Sequence, residues 1–170
     1  MSRLSDFNMA SFGDDIMYTY YIDTPSGTHV LVEYNNTGNM ISQDVAISLA
    51  DQHNATIVSS ANSDWNCHSF AWLQGLYSPS LYTHIWMNLY TPFAADSAYS
   101  HSTSPQVGAI VTYGAIHSAL VLAVNTYNPM HYMPEPVFLS KWGGGYIYSH
   151  FPDNCPYTHQ GFDYYMLTSS

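Results

Sequence analysis

Residues 65–72 read WNCHSFAW and mark the point where a polar, turn-rich segment gives way to a helical pattern. The residues before them, 59–64 (SSANSD), are of the types that form loops and helix N-caps. After them, apolar residues recur at roughly helical spacing. Cys67 is therefore predicted to lie in the first turn of a short helix.

A cysteine in that position is a candidate nucleophile. The unpaired backbone N–H groups and the dipole of a helix start favour an anion, so we expect the pKa of Cys67 to lie below the ordinary thiol value of about 8.5. Two other readings stay open. Cys67 can be a small buried apolar residue, or it can form a disulfide with Cys155, the other cysteine of the chain.

The charge balance limits the partners that this chain can bind. It carries 12 acidic residues against 2 basic ones, which gives a formal net charge of −10. A nucleic-acid partner requires basic side chains that neutralise phosphates, and anionic lipid attracts the same side chains. We therefore expect neither nucleic acid nor a membrane as a partner. No apolar run reaches the length of a membrane span, and residues 1–15 lack the apolar core of a signal peptide.

The order of predicted elements indicates an α+β domain. Residues 1–16 are polar and are predicted to form a loose arm, and residues 17–170 are predicted to form a single domain. Its predicted elements are a strand pair (17–22, 29–34), a helix (42–52), the cysteine helix, and strands at 106–114, 116–124 and 137–142, with long loops at 88–106 and 125–136. The expected architecture is a nucleophile helix packed on an antiparallel β-sheet.

A thiol nucleophile needs a base that takes its proton, and the base needs a third polar group that holds it. His117 opens the most continuous apolar run of the chain, where a histidine is otherwise unexpected. Ser140 falls on the next predicted strand and is a candidate for the third group. The competing interpretations are a core histidine bonded to the backbone and an ordinary strand serine.

These residues occur in blocks that resemble the papain-like cysteine hydrolases, in particular the NlpC-type and CHAP-type cell-wall amidases and peptidases. The blocks are residues 66–72 (NCHSFAW), 107–113 (VGAIVTY) with 117–121 (HSALV), and 140–143 (SKWG). The resemblance implies a papain-like fold, with Cys67 as the nucleophile, His117 as the base and Ser140 as the third member.

The sequence departs from the family pattern at two places. Ala109 replaces the acidic residue that is usual in the second block, and Ser140 stands where Asn, Gln, Glu or His is more usual. The SKWG block also resembles the Asn-Ser-Trp-Gly of papain, whose tryptophan shields the histidine. By that resemblance Trp142 is expected to shield His117.

Two further residues are accessory candidates. Asn66 precedes the nucleophile and is expected either to donate to an oxyanion or to cap the helix. His150 is expected to be a second orienting residue or a substrate contact, with a surface histidine as the alternative. The remaining histidines lack the close spacing of zinc ligands, so neither a metal nor a cofactor is expected.

The sequence thus predicts a cysteine peptidase or amidase that acts through a Cys67 thioester. By resemblance, its substrate is a peptide or a peptidoglycan stem and its location is extracellular or at the cell wall. Two alternatives remain open. One is a non-catalytic carbohydrate- or protein-binding module on the same fold, and the other is an enzyme that transfers or deamidates amides.

Overall fold

A computed structural model of the protein describes residues 8–12, 15–34, 41–60, 65–143 and 145–168. Their strands are β1 (Asn8–Phe12), β2 (Asp15–Asp23), β3 (His29–Tyr34), β4 (Thr56–Ser59), β5 (Ile85–Trp86), β6 (Tyr99–Ser102), β7 (Ile110–Tyr113), β8 (His117–Asn128), β9 (Met133–Lys141), β10 (Ile147–His150) and β11 (Asp163–Leu167). Their helices are α1 (Gln43–His53), α2 (Cys67–Leu73), α3 (Pro79–Tyr82) and α4 (Thr91–Ala94).

The strands form two antiparallel sheets. The larger has seven strands in the order β4-β10-β9-β8-β7-β11-β6, and the smaller has four in the order β1-β2-β3-β5. Every strand pair within the described residues is antiparallel. Few helices and antiparallel sheets confirm the α+β class that the sequence predicts.

The larger sheet is covered on both faces. Side chains of a strand alternate between faces, so neighbouring residues of β8 enter different layers. Ala119 lies in a cluster with Ala50 of α1 and with Cys155 of the C-terminal segment. Leu120 packs instead against a cluster that contains Trp72 of α2 and the inner residues of the four-stranded sheet. α2 and the small sheet therefore cover one face, while α1 and the C-terminal segment cover the other.

α2 is short, and burial rather than helix propensity stabilises it. All of its residues, Cys67–Leu73, are buried. Its N-cap is Asn66, whose Oδ1 accepts hydrogen bonds from Ser69 N at 3.1 Å and from Ser69 Oγ at 3.0 Å. The same side chain donates from Nδ2 to the carbonyl oxygen of Met87 at 2.7 Å, so it also ties the start of α2 to the segment after β5.

Several local predictions are confirmed. β2 and β3 form the predicted hairpin. α1 covers the predicted helix, and Ser42 caps it by accepting a hydrogen bond from Val45 N. The predicted cysteine helix begins at Cys67, and β8 begins at His117.

The predictions of a loose arm and of long loops are wrong in part. Asn8–Phe12 pairs with β2, because the free backbone N–H and C=O groups of an edge strand can pair with another strand whatever its side chains. Residues 1–7, 13 and 14 lie outside the described residues. α4 and β6 occupy part of the predicted loop 88–106.

The predicted loop 125–136 is instead the far half of the β8–β9 ribbon. Its prolines argued against a strand, yet Pro134 and Pro136 both belong to β9. Within β9, only Phe138–Lys141 pairs with β10, so these prolines lie beyond the end of that neighbouring strand, where a missing N–H breaks no ladder.

Candidate active site

The larger sheet brings His117, Ser140 and His150 into direct contact. His117 Nε2 lies 3.1 Å from Ser140 Oγ, and the same oxygen lies 2.7 Å from His150 Nε2. The three residues come from the adjacent strands β8, β9 and β10. They are 0%, 0% and 3% exposed, so no water competes for these hydrogen bonds. The predicted base and its predicted third group therefore meet, and His150, which is not a surface histidine, contacts the same serine.

The other ring nitrogen of His117 has no such partner. Nδ1 is buried and makes no hydrogen bond within the described residues. One face of the ring is covered by Tyr157, which stacks at a centroid distance of 4.0 Å and an interplanar angle of 10°. Buried polar atoms are nearly always paired, so a bare buried nitrogen requires an explanation.

Cys67 lies at the start of α2 on the neighbouring layer. It is a free thiol and is 6% exposed. The backbone N–H groups of Ser118, of His68 and of Cys67 itself act on the sulfur, and each favours its thiolate. The charge of Lys141 acts in the same sense. The fully buried Lys141 ammonium lies 5.6 Å from the centroid of the Trp65 ring and donates to the carbonyl oxygen of Gly143 at 2.7 Å.

The expectation of a lowered thiol pKa is nevertheless wrong. Burial raises the pKa of Cys67, and this exceeds the opposing effect of the N–H groups and of Lys141. Burial also holds the pKa of His117 well below its ordinary value, with smaller contributions from His150 and His68. The resting site therefore holds a neutral thiol and a neutral imidazole, not a thiolate–imidazolium pair.

Cys67 and His117 reach the same end of β8 from opposite layers. Ser118, which follows His117 in the strand, presents its backbone N–H to the sulfur. Tyr157, which stacks on His117, also interacts electrostatically with a Cys67 thiolate. No hydrogen bond joins the sulfur to His117 Nδ1 in this conformation. The structure thus gives the two residues common neighbours but not a formed dyad.

Asn66 takes one of its two predicted roles, and Trp142 departs from its predicted one. The amide of Asn66 is committed to Ser69 and Met87, so of its two predicted roles the structure shows helix capping. Trp142 stacks on Tyr148 at 3.9 Å and lies 5.5 Å from the His150 ring. Trp142 therefore lies beside His150 and not His117, and the ring that covers His117 is Tyr157.

A second buried network, which the sequence did not indicate, fastens α2 to β8. Ser118 Oγ lies 2.8 Å from His68 Nδ1 and accepts a hydrogen bond from Trp72 Nε1 at 3.1 Å. Burial lowers the pKa of His68 to about 4, so the ring is neutral and can accept from the Ser118 hydroxyl. Two residues of α2, His68 and Trp72, are thereby tied to Ser118, which follows His117 in β8.

Cys155 does not form the disulfide that remained possible from the sequence. Both cysteines are free. Cys155 is 7% exposed, and its thiol lies 3.4 Å from the carbonyl oxygen of Tyr157. Burial raises its pKa, as for Cys67. Cys155 thus matches Cys67 in exposure and in the direction of its pKa shift, and Tyr157 interacts electrostatically with the thiolate of either cysteine.

Comparisons with protein-family models, with curated proteins and with solved structures found no match. In the described residues no group of three or more His, Cys, Asp or Glu side chains is arranged to hold a metal ion. None of the helices in those residues is long and apolar enough to cross a membrane.

Removing the Tyr157 ring should expose the site. We expect Tyr157→Ala to raise the rate at which iodoacetamide alkylates Cys67 by about tenfold or more, because the ring covers His117 and interacts electrostatically with the Cys67 thiolate. The rate is measured by mass spectrometry of the Cys67 peptide. Tyr127→Ala, which removes a 58% exposed tyrosine from the β8–β9 ribbon, is the matched control. Equal alkylation rates in both variants would show that Tyr157 does not cover the sulfur.

The buried histidines predict a loss of stability in acid. The pKa of His68 and of His150 is lowered by burial to about 4, and that of His117 is also lowered. Between about pH 4 and about pH 6.5 the unfolded chain binds more protons at His68 and His150 than the folded chain does. The free energy of unfolding should therefore fall as the pH is lowered, by up to about 1.4 kcal/mol per pH unit for each of these two histidines, and His117 acts in the same direction. The exposed His131, whose pKa is raised by its hydrogen bond to Glu135, acts weakly in the opposite direction.

Urea denaturation at a series of pH values from about 7 to about 5 measures this effect. His150→Leu should give a shallower pH dependence than the wild type. His101→Leu removes a histidine whose side chain is 52% exposed and should leave the slope nearly unchanged. A wild-type stability that does not fall in this range would mean that the histidines are not held neutral.

Proposed function

We propose that the protein is a cysteine-dependent amide-bond hydrolase of papain-like fold, with Cys67 as the nucleophile and His117 as the base. The observation that carries the proposal is the His117 ring. One of its nitrogens is bonded to Ser140, and the other is buried without a partner at the strand end where Ser118 faces the sulfur. A base that is oriented at one nitrogen and bare at the other is what thiol activation requires.

The reaction begins with proton transfer from the Cys67 thiol to His117 Nδ1. The sulfur attacks the amide carbonyl carbon, a C–S bond forms, and the carbonyl electron pair moves to oxygen. When the tetrahedral intermediate collapses, the C–N bond breaks and the leaving nitrogen takes the proton from Nδ1. Water then attacks the thioester with His117 again as base, which releases the acid and restores the thiol.

A neutral resting pair is compatible with this sequence of steps. The thiolate exists only after His117 has taken the proton, and the N–H groups of Ser118, His68 and Cys67 then stabilise it. The positive charge of Lys141 also favours the Cys67 thiolate. Backbone N–H groups at the start of α2 are the donors available to the developing oxyanion.

A cavity of about 430 Å³ lies beside the proposed site. Its walls are residues 113–116, immediately before His117, and residues 158–160, immediately after Tyr157. The wall residue Tyr113 lies 5.2 Å, centroid to centroid, from the His117 ring, so a substrate in this cavity would lie near the candidate base. By the family resemblance, the substrate is a peptide or a peptidoglycan stem outside the cell or at its wall. The same thioester also serves amide transfer if an amine replaces water.

One observation favours the alternative of a non-catalytic binding module. Cys67 is only 6% exposed, and Tyr157 covers the candidate base. A relative that keeps the fold without catalysis can keep such a closed site. The reactivity of the thiol separates the two proposals.

We expect His117→Asn to slow alkylation of Cys67 at neutral pH by about tenfold or more, because no base then takes the thiol proton. The rate is followed with iodoacetamide and peptide mass spectrometry. Cys155 is the internal control, since it is as buried as Cys67, and its rate should not change. If the Cys67 rate is also unaffected by His117→Asn, the two residues do not act together.

Digestion of purified peptidoglycan, with mass analysis of the fragments, then tests the reaction itself. The wild type should release fragments cut at an amide bond, and Cys67→Ala should release none while it unfolds at the same urea concentration. Fragments released equally by Cys67→Ala would refute the proposed nucleophile. If alkylation depends on His117 but no fragment appears, the substrate is another peptide or amide.

A further inference from the structure

The hydrogen bonds of His117 continue beyond Ser140 to a backbone carbonyl. His150 Nε2 lies 2.7 Å from Ser140 Oγ, and His150 Nδ1 lies 2.7 Å from the carbonyl oxygen of Phe151. With the 3.1 Å contact between His117 Nε2 and Ser140 Oγ, four groups form one unbranched chain. The side chains are fully or almost fully buried, so the chain has to satisfy itself without water.

The last group of the chain determines the direction of every hydrogen bond. A carbonyl oxygen only accepts, so His150 Nδ1 carries the hydrogen and donates to Phe151. His150 is neutral, since burial lowers its pKa to about 4, and its Nε2 is therefore an acceptor. The Ser140 hydroxyl then donates to His150 and accepts from His117. His117 must carry its hydrogen on Nε2, which leaves Nδ1 with a lone pair.

This direction matters because the third group is a serine. A hydroxyl can donate or accept, so a serine alone stabilises either tautomer of the histidine beside it. If Ser140 donated to His117 Nε2, the hydrogen would sit on Nδ1, and the nitrogen without a partner could not take a proton. A serine in this position orients the base only if another residue accepts its hydrogen.

We propose that His150 is a positioning residue that, through Ser140 and with the Phe151 carbonyl, keeps His117 in the tautomer whose Nδ1 is free to accept a proton. The catalytic part of this inference rests on the proposed function. The tautomer itself does not, because it can be measured in the free protein without a substrate. Trp142, 5.5 Å from the His150 ring, covers this end of the chain.

Nitrogen NMR of histidine-labelled protein at neutral pH tests the tautomer directly. The His117 signals are assigned by their loss in His117→Asn. In the wild type we expect Nδ1 to resonate as an unprotonated ring nitrogen and Nε2 as a protonated one. The His150 ring should show the reverse pattern. A protonated Nδ1 on His117 in the wild type would overturn the proposal without reference to activity.

Variants test whether His150 is the cause. His150→Leu removes the acceptor of the Ser140 hydrogen, so the His117 signals should move toward a mixture of tautomers. His150→Gln keeps a side-chain carbonyl that can accept and should restore the wild-type pattern. If His150→Leu does not fold, Ser140→Ala breaks the same chain one link earlier and should give the same mixture. An unchanged tautomer in the folded variants would contradict the proposal.

Rates measured on the same variants separate this inference from the proposed function. His150→Leu should lower kcat, or the His117-dependent alkylation of Cys67, by roughly 10²-fold with little change in KM. His150→Gln should recover most of that loss, and His101→Leu should have no effect. If His117 and His150 show the expected tautomers but Cys67 is unreactive, the proposed function is refuted and the positioning role of His150 is not. Reactivity that does not depend on His150 would refute the positioning role alone.

Discussion

A neutral imidazole that is completely buried needs one partner for its N–H and one for its lone pair, and His117 has only the first. An unmatched buried polar atom costs on the order of 1–3 kcal/mol. Folded chains retain such costs mainly where function requires them. The proposal that Cys67 is the nucleophile starts from this bare Nδ1, because an imidazole nitrogen with a lone pair can take the proton of a thiol.

The fold supports the two candidate groups differently. His117, Ser140 and His150 stand on adjacent strands of the larger sheet, so the position of the base is set by a ladder of backbone hydrogen bonds. Cys67 stands on a helix of 7 residues that is held by its burial and by Asn66. Ser118 connects the two layers, since its hydroxyl contacts His68 and its backbone N–H faces the sulfur. A shift of α2 relative to β8 would thus change the sulfur's position without disturbing the base.

Sequence patterns were sufficient for the elements that carry the site. The cluster of polar residues before Cys67 marks the start of α2, and the apolar run after His117 marks β8. Sequence patterns were insufficient where contacts between distant segments of the chain determine the structure. The prolines of β9 are tolerated only because β10 ends beside Phe138, and the stacking of Tyr157 on His117 joins residues 40 positions apart. The prediction of a lowered pKa for Cys67 was wrong for the same reason, since the helix start is visible in the local sequence while burial depends on the whole fold.

The most direct measurement is acyl transfer from p-nitrophenyl acetate, followed by intact mass and peptide mapping. This activated ester needs no specific binding site, so it reports on the nucleophile alone. The account predicts that one acetyl group appears on Cys67 as a thioester, that Cys155 stays unmodified, and that His117→Asn strongly slows the reaction. Equal acetylation of the two similarly buried cysteines, or acetylation of Cys67 that does not depend on His117, would contradict it.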